Sequence, residues 1–407
     1  MSIQSIPEIS PRPSVLLEQW PSAQPIASAD ATAGRKVVLI SDHDYRTARR
    51  ANMHPIADAL VGLGYDVTFV SVRFSALTRF KKDSRDFLRD RANKPELTNN
   101  VRCYLWKTAF HPINLNNRLL NKLSAPLYKL YARMPCEFLD DALRSASHVI
   151  VESGLGAVLL RRARALNHAA KIVYLASDDL QTVGVHPCVQ TELTKAARLI
   201  NFACVPSRRM APGFEWAGNR LFFVPHGLHH ADFEVPGPNP YSAELSAVSV
   251  GSMLFDPSFF QIAAAQFPEI QFHIIGAGQR FDAPANVIQH AEMNFQATLP
   301  YIRHATFGVA PYRSARHGDY ISDTSMKLMQ YEHCGIPAVC PTFAAGDSPN
   351  RFGYTPGNRP SIETAIDAAL ERRNDIKPRR FPSWEDVACR LLDPREFDDT
   401  AIELPRS

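Results

Sequence analysis

Short apolar runs of the kind buried on both faces of a parallel sheet alternate along this chain with helical stretches. The first is Lys36-Val-Val-Leu-Ile-Ser41. A helical stretch from about Ala51 to Leu63 follows, closed by Gly64, and a second run covers Tyr65–Ser71. Arg102–Trp106, His148–Glu152, Lys171–Ala176 and Leu199–Val205 are further predicted strands. The pattern restarts after the Pro-rich stretch Val235-Pro-Gly-Pro-Asn-Pro240, with strands at Ala247–Gly251, Gln271–Ile275, Val287–His290, Thr306–Ala310 and Ala338–Cys340. Alternation in two blocks predicts an α/β protein made of two Rossmann-like domains facing each other across a cleft. Residues 1–35 lack periodicity and read as a flexible tail. The domains then span 36–225 and 226–381. Residues 382–407, with Trp384 and Leu391–Pro394, form a closing helix or strap, for which the N-terminal domain is one candidate surface.

Length and composition agree with this division. At 407 residues the chain exceeds one ordinary core, and 45% apolar with 21% charged residues is a globular composition. A net charge of +4 is too mild to point to nucleic acid, so a basic partner surface has to be local. Seven cysteines without a C-x-x-C pair read as reduced thiols and not as a metal site. No apolar run reaches the roughly 20 residues of a membrane-spanning helix, and the N-terminus lacks signal-peptide character. A meeting with membrane is therefore expected to be peripheral.

In open parallel sheets ligands bind beyond the carboxyl ends of the strands, which selects the loops of interest. The first is Ser41-Asp-His-Asp-Tyr-Arg-Thr-Ala-Arg-Arg50, where His43, Asp44 and Arg49 are candidate cleft or acceptor contacts. A capping residue beside a solvated basic helix start is the ordinary alternative. The second is Ala176-Ser-Asp-Asp-Leu180, where Asp178 could accept a proton from a bound hydroxyl, or simply cap a helix. The third runs from Ser322 to Pro337, with possible N-caps, about ten helical residues and Gly335 as a stop. Lys327 falls in the first helical turn, where the macrodipole disfavours a cation unless a bound diphosphate shares the site. Met326, Lys327 and Gln330 can face one ligand. Facing the same cleft from the second domain, Gly251–Phe255 and Gly276-Ala-Gly278 end strands in small-residue turns. Glu292 could hold paired ribose hydroxyls, with Met253 and Met293 walling a flat base or filling core gaps.

Two stretches combine basic and apolar residues. Arg73–Lys94 holds eight Lys or Arg against three Asp, with Arg79, Phe80, Lys81, Lys82 and Arg85 as candidate membrane contacts and Phe87 and Leu88 as further apolar anchors. Arg118–Arg133 is basic and amphipathic as well. Such stretches suit an anionic lipid surface, and a solvated helix face is the plain alternative.

With these residues in view, the sequence closely resembles the GumK-type glucuronosyltransferases of xanthan-like exopolysaccharide assembly. The matching stretches are His43–Asn52, Glu152-Ser-Gly154, Ala176-Ser-Asp178, Gly251–Pro257, Ser325-Met-Lys-Leu-Met-Gln330 and Arg351–Asn358. Asp179 and the segment Arg313–Tyr320 depart from the family pattern. The resemblance implies a GT-B fold and an inverting, metal-independent, cofactor-free enzyme at the cytoplasmic face of the inner membrane. It would move glucuronate from UDP-glucuronate to a polyprenyl-diphosphate-linked oligosaccharide. By matched position Asp178 would be the base, and Met253, Glu292, Met293, Tyr312, Met326, Lys327 and Gln330 the nucleotide-sugar site. A UDP-sugar epimerase on the same scaffold and a non-catalytic sugar-nucleotide-binding subunit are the competing expectations.

Overall fold

The computed structural model describes residues 35–402 apart from 49, 81–82, 181–183, 235–236 and 315–317, and apart from the side chains of 79 and 80. The expected N-terminal tail up to residue 34 lies outside the described residues, as do Arg49, Lys81, Lys82 and the side chains of Arg79 and Phe80.

Eight strands form the first sheet: β1 (Lys36–Ser41), β2 (Asp66–Ser75), β3 (Glu96–Thr98), β4 (Val101–Thr108), β5 (His148–Glu152), β6 (Lys171–Leu175), β7 (Phe202–Val205) and β8 (Leu221–Phe223). Their order is β3-β4-β2-β1-β5-β6-β7-β8, and only β3 runs antiparallel to its neighbour. The middles of the central strands β1, β5 and β6 are apolar because both faces are covered. In β1, Val38 and Ile40 face one apolar cluster while Val37 and Leu39 face another. The first cluster is closed by α2 (Arg118–Ala132), α3 (Glu137–Ser145), α4 (Leu160–Leu166) and α5 (Pro187–Lys195); the second by α1 (Met53–Gly62).

The second sheet has six parallel strands: β9 (Leu245–Val250), β10 (Ile270–Ile275), β11 (Val287–His290), β12 (Phe307–Val309), β13 (Ala338–Pro341) and β14 (Arg351–Tyr354). Their order, β11-β10-β9-β12-β13-β14, reverses direction beside β9, as the first sheet's does beside β1. That reversal opens a crevice at the strand ends of each sheet. The helices α6 (Ser258–Gln266) and α11 (Arg359–Arg372) cover one face. On the other lie α7 (Phe295–His304) and, after the short α8 (Ile321–Thr324), α9 (Met326–His333). The short α10 (Thr342–Ala345) follows β13. Gly308 of β12 lets the α9 ring of Tyr331 lie flat on the sheet, since a Cβ there would sit 2.3 Å from it.

The chain crosses between the sheets twice, side by side. Leu228 pairs with Ser383, and its amide donates to Pro382 O at 2.9 Å. A Cβ on Gly227 would stand 2.9 Å from the Ser383 backbone, so the crossing tolerates only glycine. Beyond it α12 (Trp384–Leu392) opens with a capping box between Ser383 and Asp386. It packs on α1, placing Trp384, Val387, Leu391 and Leu392 in the N-terminal core.

Candidate active site

The N-terminal crevice is lined by carboxylates at the ends of β1, β5 and β6. β5 closes on Glu152, a charged residue ending an otherwise apolar strand. Its carboxylate is buried and accepts hydrogen bonds from Ser41 and, at 3.0 Å, from Ser177. Burial pushes Glu152 up to about 7 despite those donors. One residue beyond Ser177, the Asp178 amide donates to Ser153 Oγ at 3.1 Å, which fixes the loop after β6. Burial, with Glu152 nearby, raises Asp178 to about 6, while Tyr320 and His43 act to lower it. A carboxylate in this setting is ionised at neutral pH yet basic enough to take a proton.

The loop after β1 divides between site and scaffold. His43 is exposed on the side of Asp178, whose charge it influences. Asp44 turns inward. It is fully buried, ion-paired with Arg46 at 2.8 Å and hydrogen-bonded by Ser71 at 2.7 Å. Burial alone would raise its pKa, but the Arg46 guanidinium and Ser71 bring it below the usual carboxylate range. Arg46 in turn reaches Glu96 of β3 at 2.8 Å. The expectation that Asp44 faces an acceptor is therefore corrected: its oxygens are taken up inside the domain.

The C-terminal crevice carries the opposite charge. Ser325 caps α9 by accepting from the Leu328 amide at 3.3 Å, and its hydroxyl also bonds Tyr312. Lys327 follows in the first turn. Its ammonium is buried and, among the described residues, has no hydrogen-bond partner; the Tyr312 ring lies 5.2 Å away. Burial lowers Lys327 to about 7. An orphaned cation beside helix N-terminal amides is a receptor for an anion. Around it stand the other expected residues. Met326 and Gln330 are half-buried on α9, with Met326 reaching the N-terminal core cluster. Met253 is 48% exposed after β9, where Leu254 adopts a left-handed φ of 49°. Glu292 follows β11 and lies over Gly276, 3.6 Å from where a Cβ would stand; Met293 packs into the core edge. Gly278 closes on Ser252 in the same way, at 3.2 Å, which brings the β9, β10 and β11 loops together.

The two crevices meet. Tyr320, from a 3-10 turn of the C-terminal domain, donates to Asp178 Oδ1 at 3.4 Å. Ser207 bonds Asp323, Arg209 pairs with Asp347 at 3.2 Å, and His226 links Asn52 to the Thr324 carbonyl. Glu152 and Tyr320 are the contributors that sequence reasoning missed. The signal for Glu152 was a carboxylate closing a buried strand; Tyr320 lies in a short turn with no periodicity to mark it.

The basic stretches separate clearly. Arg85 does not face outward. Its guanidinium is buried, using Asp83, Asp42 O, Val72 O and Arg73 O at 2.7–2.9 Å, which occupies all five of its donors. Leu88 is buried with Phe74 and Leu105. Arg89 pairs with Asp86 and Arg91 with Glu96. Arg85 is thus corrected from membrane contact to scaffold, because the local acids and carbonyls claim the charge. In α2, by contrast, Leu119, Leu120, Leu123, Leu127 and Leu130 are all exposed, from 42% to 71%. At 100° per residue they share an arc of about 100°, with Tyr128 and Tyr131 packed into the core on one side and the basic residues Arg118, Lys122, Lys129 and Arg133 on the other. Among the described residues no helix is long and apolar enough to cross a membrane.

Comparison with known proteins places this architecture. Residues 39–206 match the family described as glucuronosyltransferase GumK, N-terminal domain. The UDP-glucuronate:glycolipid 2-beta-glucuronosyltransferase of Xanthomonas campestris pv. campestris is 40% identical over 383 residues, covering 94% of this chain and 95% of that protein. Among solved structures, sucrose-phosphate synthase from Thermosynechococcus elongatus aligns with a TM-score of 0.59 at 13% identity, over 89% of this chain and 98% of its own. HepE of Anabaena, solved in complex with UDP, aligns at 0.54 and 13% identity, over 88% and 95%. These similarities show the GT-B arrangement of two Rossmann-like domains.

Proposed function

This chain belongs to the GumK glucuronosyltransferase family, and from that premise we propose that it transfers glucuronate from UDP-glucuronate to a lipid-linked oligosaccharide with Asp178 as the base. The observation that carries the reading is the buried ammonium of Lys327 at the start of α9, which has no hydrogen-bond partner among the described residues and lies across the cleft from Asp178, the strand-end aspartate that Tyr320 touches.

The chemistry is a single in-line displacement. An acceptor hydroxyl gives its proton to Asp178 as its oxygen attacks the anomeric carbon, and the bond to UDP breaks on the opposite face. Negative charge then grows on the diphosphate, where Lys327 and the α9 amides stand ready; stabilisation that grows with the breaking bond raises rate. Lys327 and the helix terminus supply the positive charge that a divalent cation gives other sugar-nucleotide enzymes, so the reaction is read as metal-independent. Activity unchanged by EDTA supports that reading, and loss restored by added Mg²⁺ or Mn²⁺ overturns it. Glu292 is read as the ribose contact and Met253, Met293 and Met326 as walls for the base and sugar.

The acceptor's lipid requires a membrane-facing surface, and α2 is our candidate for it. Its leucine arc is apolar, exposed among the described residues and flanked by cations, the pattern of a helix lying in a lipid interface. The protein then works as a peripheral enzyme on the inner membrane's cytoplasmic face. Measuring UDP release from UDP-glucuronate with and without lipid-linked acceptor tests the whole reading. Acceptor-dependent release supports transfer, whereas an altered sugar nucleotide without acceptor would support epimerisation.

A further inference from the structure

A cavity of about 710 Å³ opens between α2, α4 and α5, away from the residues around Asp178. Five cations line it: Lys129 from α2 and Arg133 at its C-terminal cap, Arg161 and Arg162 from α4, and Lys195 from α5. Two carboxylates share the space. Asp140 is held by Arg162 at 2.6 and 2.8 Å, and Arg162 also bonds the Met134 carbonyl, so this pair builds the wall. Glu192 lies 3.3 Å from Lys195 and 3.9 Å from Arg161, one carboxylate between two cations. Among the described residues neither Lys129 nor Arg133 has a side-chain hydrogen bond or ion pair. The negative end of the α2 dipole accounts for cations in its last turn. It does not account for Arg161 and Lys195 converging there from other helices.

Position adds a second argument. Lys129 and Arg133 border the leucine arc of α2, with Leu127 and Leu130 as close neighbours along the helix. A helix whose apolar face enters a lipid interface sits at headgroup depth, so its flanking cations face phosphates. A volume of this size admits a headgroup.

We propose that this cavity is a headgroup site, taking the phosphate of an anionic phospholipid from the leaflet that α2 enters, with Lys129 and Arg133 as its contacts. The proposal rests on the reading of α2 as the membrane face. It assigns to the enzyme a lipid ligand distinct from its acceptor.

The test uses the full chain and two double variants of exposed residues, Lys129→Ala with Arg133→Ala at the cavity and Arg118→Ala with Lys122→Ala outside it. Short-chain phosphatidylglycerol below its micelle concentration, titrated by calorimetry, should saturate wild type and the outside variant and leave the cavity variant unbound. On phosphatidylglycerol-containing vesicles the cavity variant should partition about 30-fold more weakly than wild type, at roughly five-fold per basic residue near an anionic surface. Equal saturation of wild type and cavity variant by the short-chain lipid overturns the site. Inorganic phosphate binding wild type as tightly as the lipid would make it a free-anion site and overturn the headgroup assignment. A third variant, Leu119→Ser with Leu123→Ser and Leu127→Ser, tests the reading beneath. If it partitions onto vesicles like wild type, the membrane face itself is misplaced, whatever the cavity binds. Unchanged UDP affinity in each variant verifies folding.

Discussion

The two crevices share a strand order, reversing beside β1 in one domain and beside β9 in the other, but they hold opposite charges. At the N-terminal strand ends Glu152 and Asp178 gather around three serines, and burial raises both carboxyls. At the C-terminal strand ends burial lowers Lys327, whose ammonium has no hydrogen-bond partner among the described residues. In each case burial makes the charged form costly. In the mechanism proposed above, a proton from the acceptor would relieve one crevice and a diphosphate the other. On that proposal one architecture divides a transfer reaction, with proton acceptance on one sheet and leaving-group charge on the other.

The largest effect should come from breaking the N-terminal side. Asp178→Asn should lower transfer by about 10²–10⁴ while leaving UDP affinity, measured by calorimetry, close to wild type. Wild-type transfer by this variant would remove Asp178 from the mechanism. Next is the C-terminal side. Lys327→Ala should weaken UDP by about 1.5–3 kcal/mol, the range for a hydrogen bond to a charged group, and Lys327→Arg should recover part of it. Equal UDP affinity in wild type and Lys327→Ala would refute the diphosphate role.

The pH profile tests both sides at once. Asp178 must be ionised and Lys327 protonated, so kcat/KM should rise through about 6 and fall above about 7. Bound diphosphate favours the lysine cation, so the alkaline limb of kcat should lie higher than that of kcat/KM. Glu152, pushed up to about 7, keeps only a fraction of its charge near pH 6. Glu152→Gln thus removes a partial like charge from beside Asp178 and should move the acid limb down modestly; a limb that stays in place would limit Glu152 to a structural role. The smallest change is Tyr320→Phe. It removes a long hydrogen bond to Asp178, so it should raise the acid limb and slow transfer by a few-fold, from about 0.5–1.5 kcal/mol. A larger loss would mean that Tyr320 also holds the donor.

Much of this contrast was legible in the sequence, and the exceptions have physical causes. β1 and β5 coincide with their apolar runs, since strands covered on both faces show burial directly. The short edge strands β3, β8 and β14 were missed: Glu96-Leu-Thr98 and Arg351-Phe-Gly-Tyr354 carry no such run, and Leu221-Phe-Phe223 is apolar but only three residues long. Asp178 and Lys327 stood out because a strand end and a helix start are positions where a charge needs a reason. Asp44 and Arg85 misled because sequence shows a charge without the partner that neutralises it. Arg46 and Asp83 lie only two residues away, but their side-chain geometry is a property of the fold. The basic segment 73–94 therefore read as a surface when its central arginine is buried, whereas α2 was legible because helical periodicity alone puts its leucines on one side.

The return of α12 to the first domain bears on how the protein is made. Trp384, Val387, Leu391 and Leu392 fill a core whose other members lie between Val37 and Val224, so the last wall of the first domain leaves the ribosome after the whole second domain. At about 5–20 residues per second that interval is on the order of 10–30 s. During it α1 presents an uncovered apolar face that chaperones or neighbouring chains can find. A nascent chain halted after the second sheet should thus be far more sensitive to proteases around α1 than one released with α12 in place.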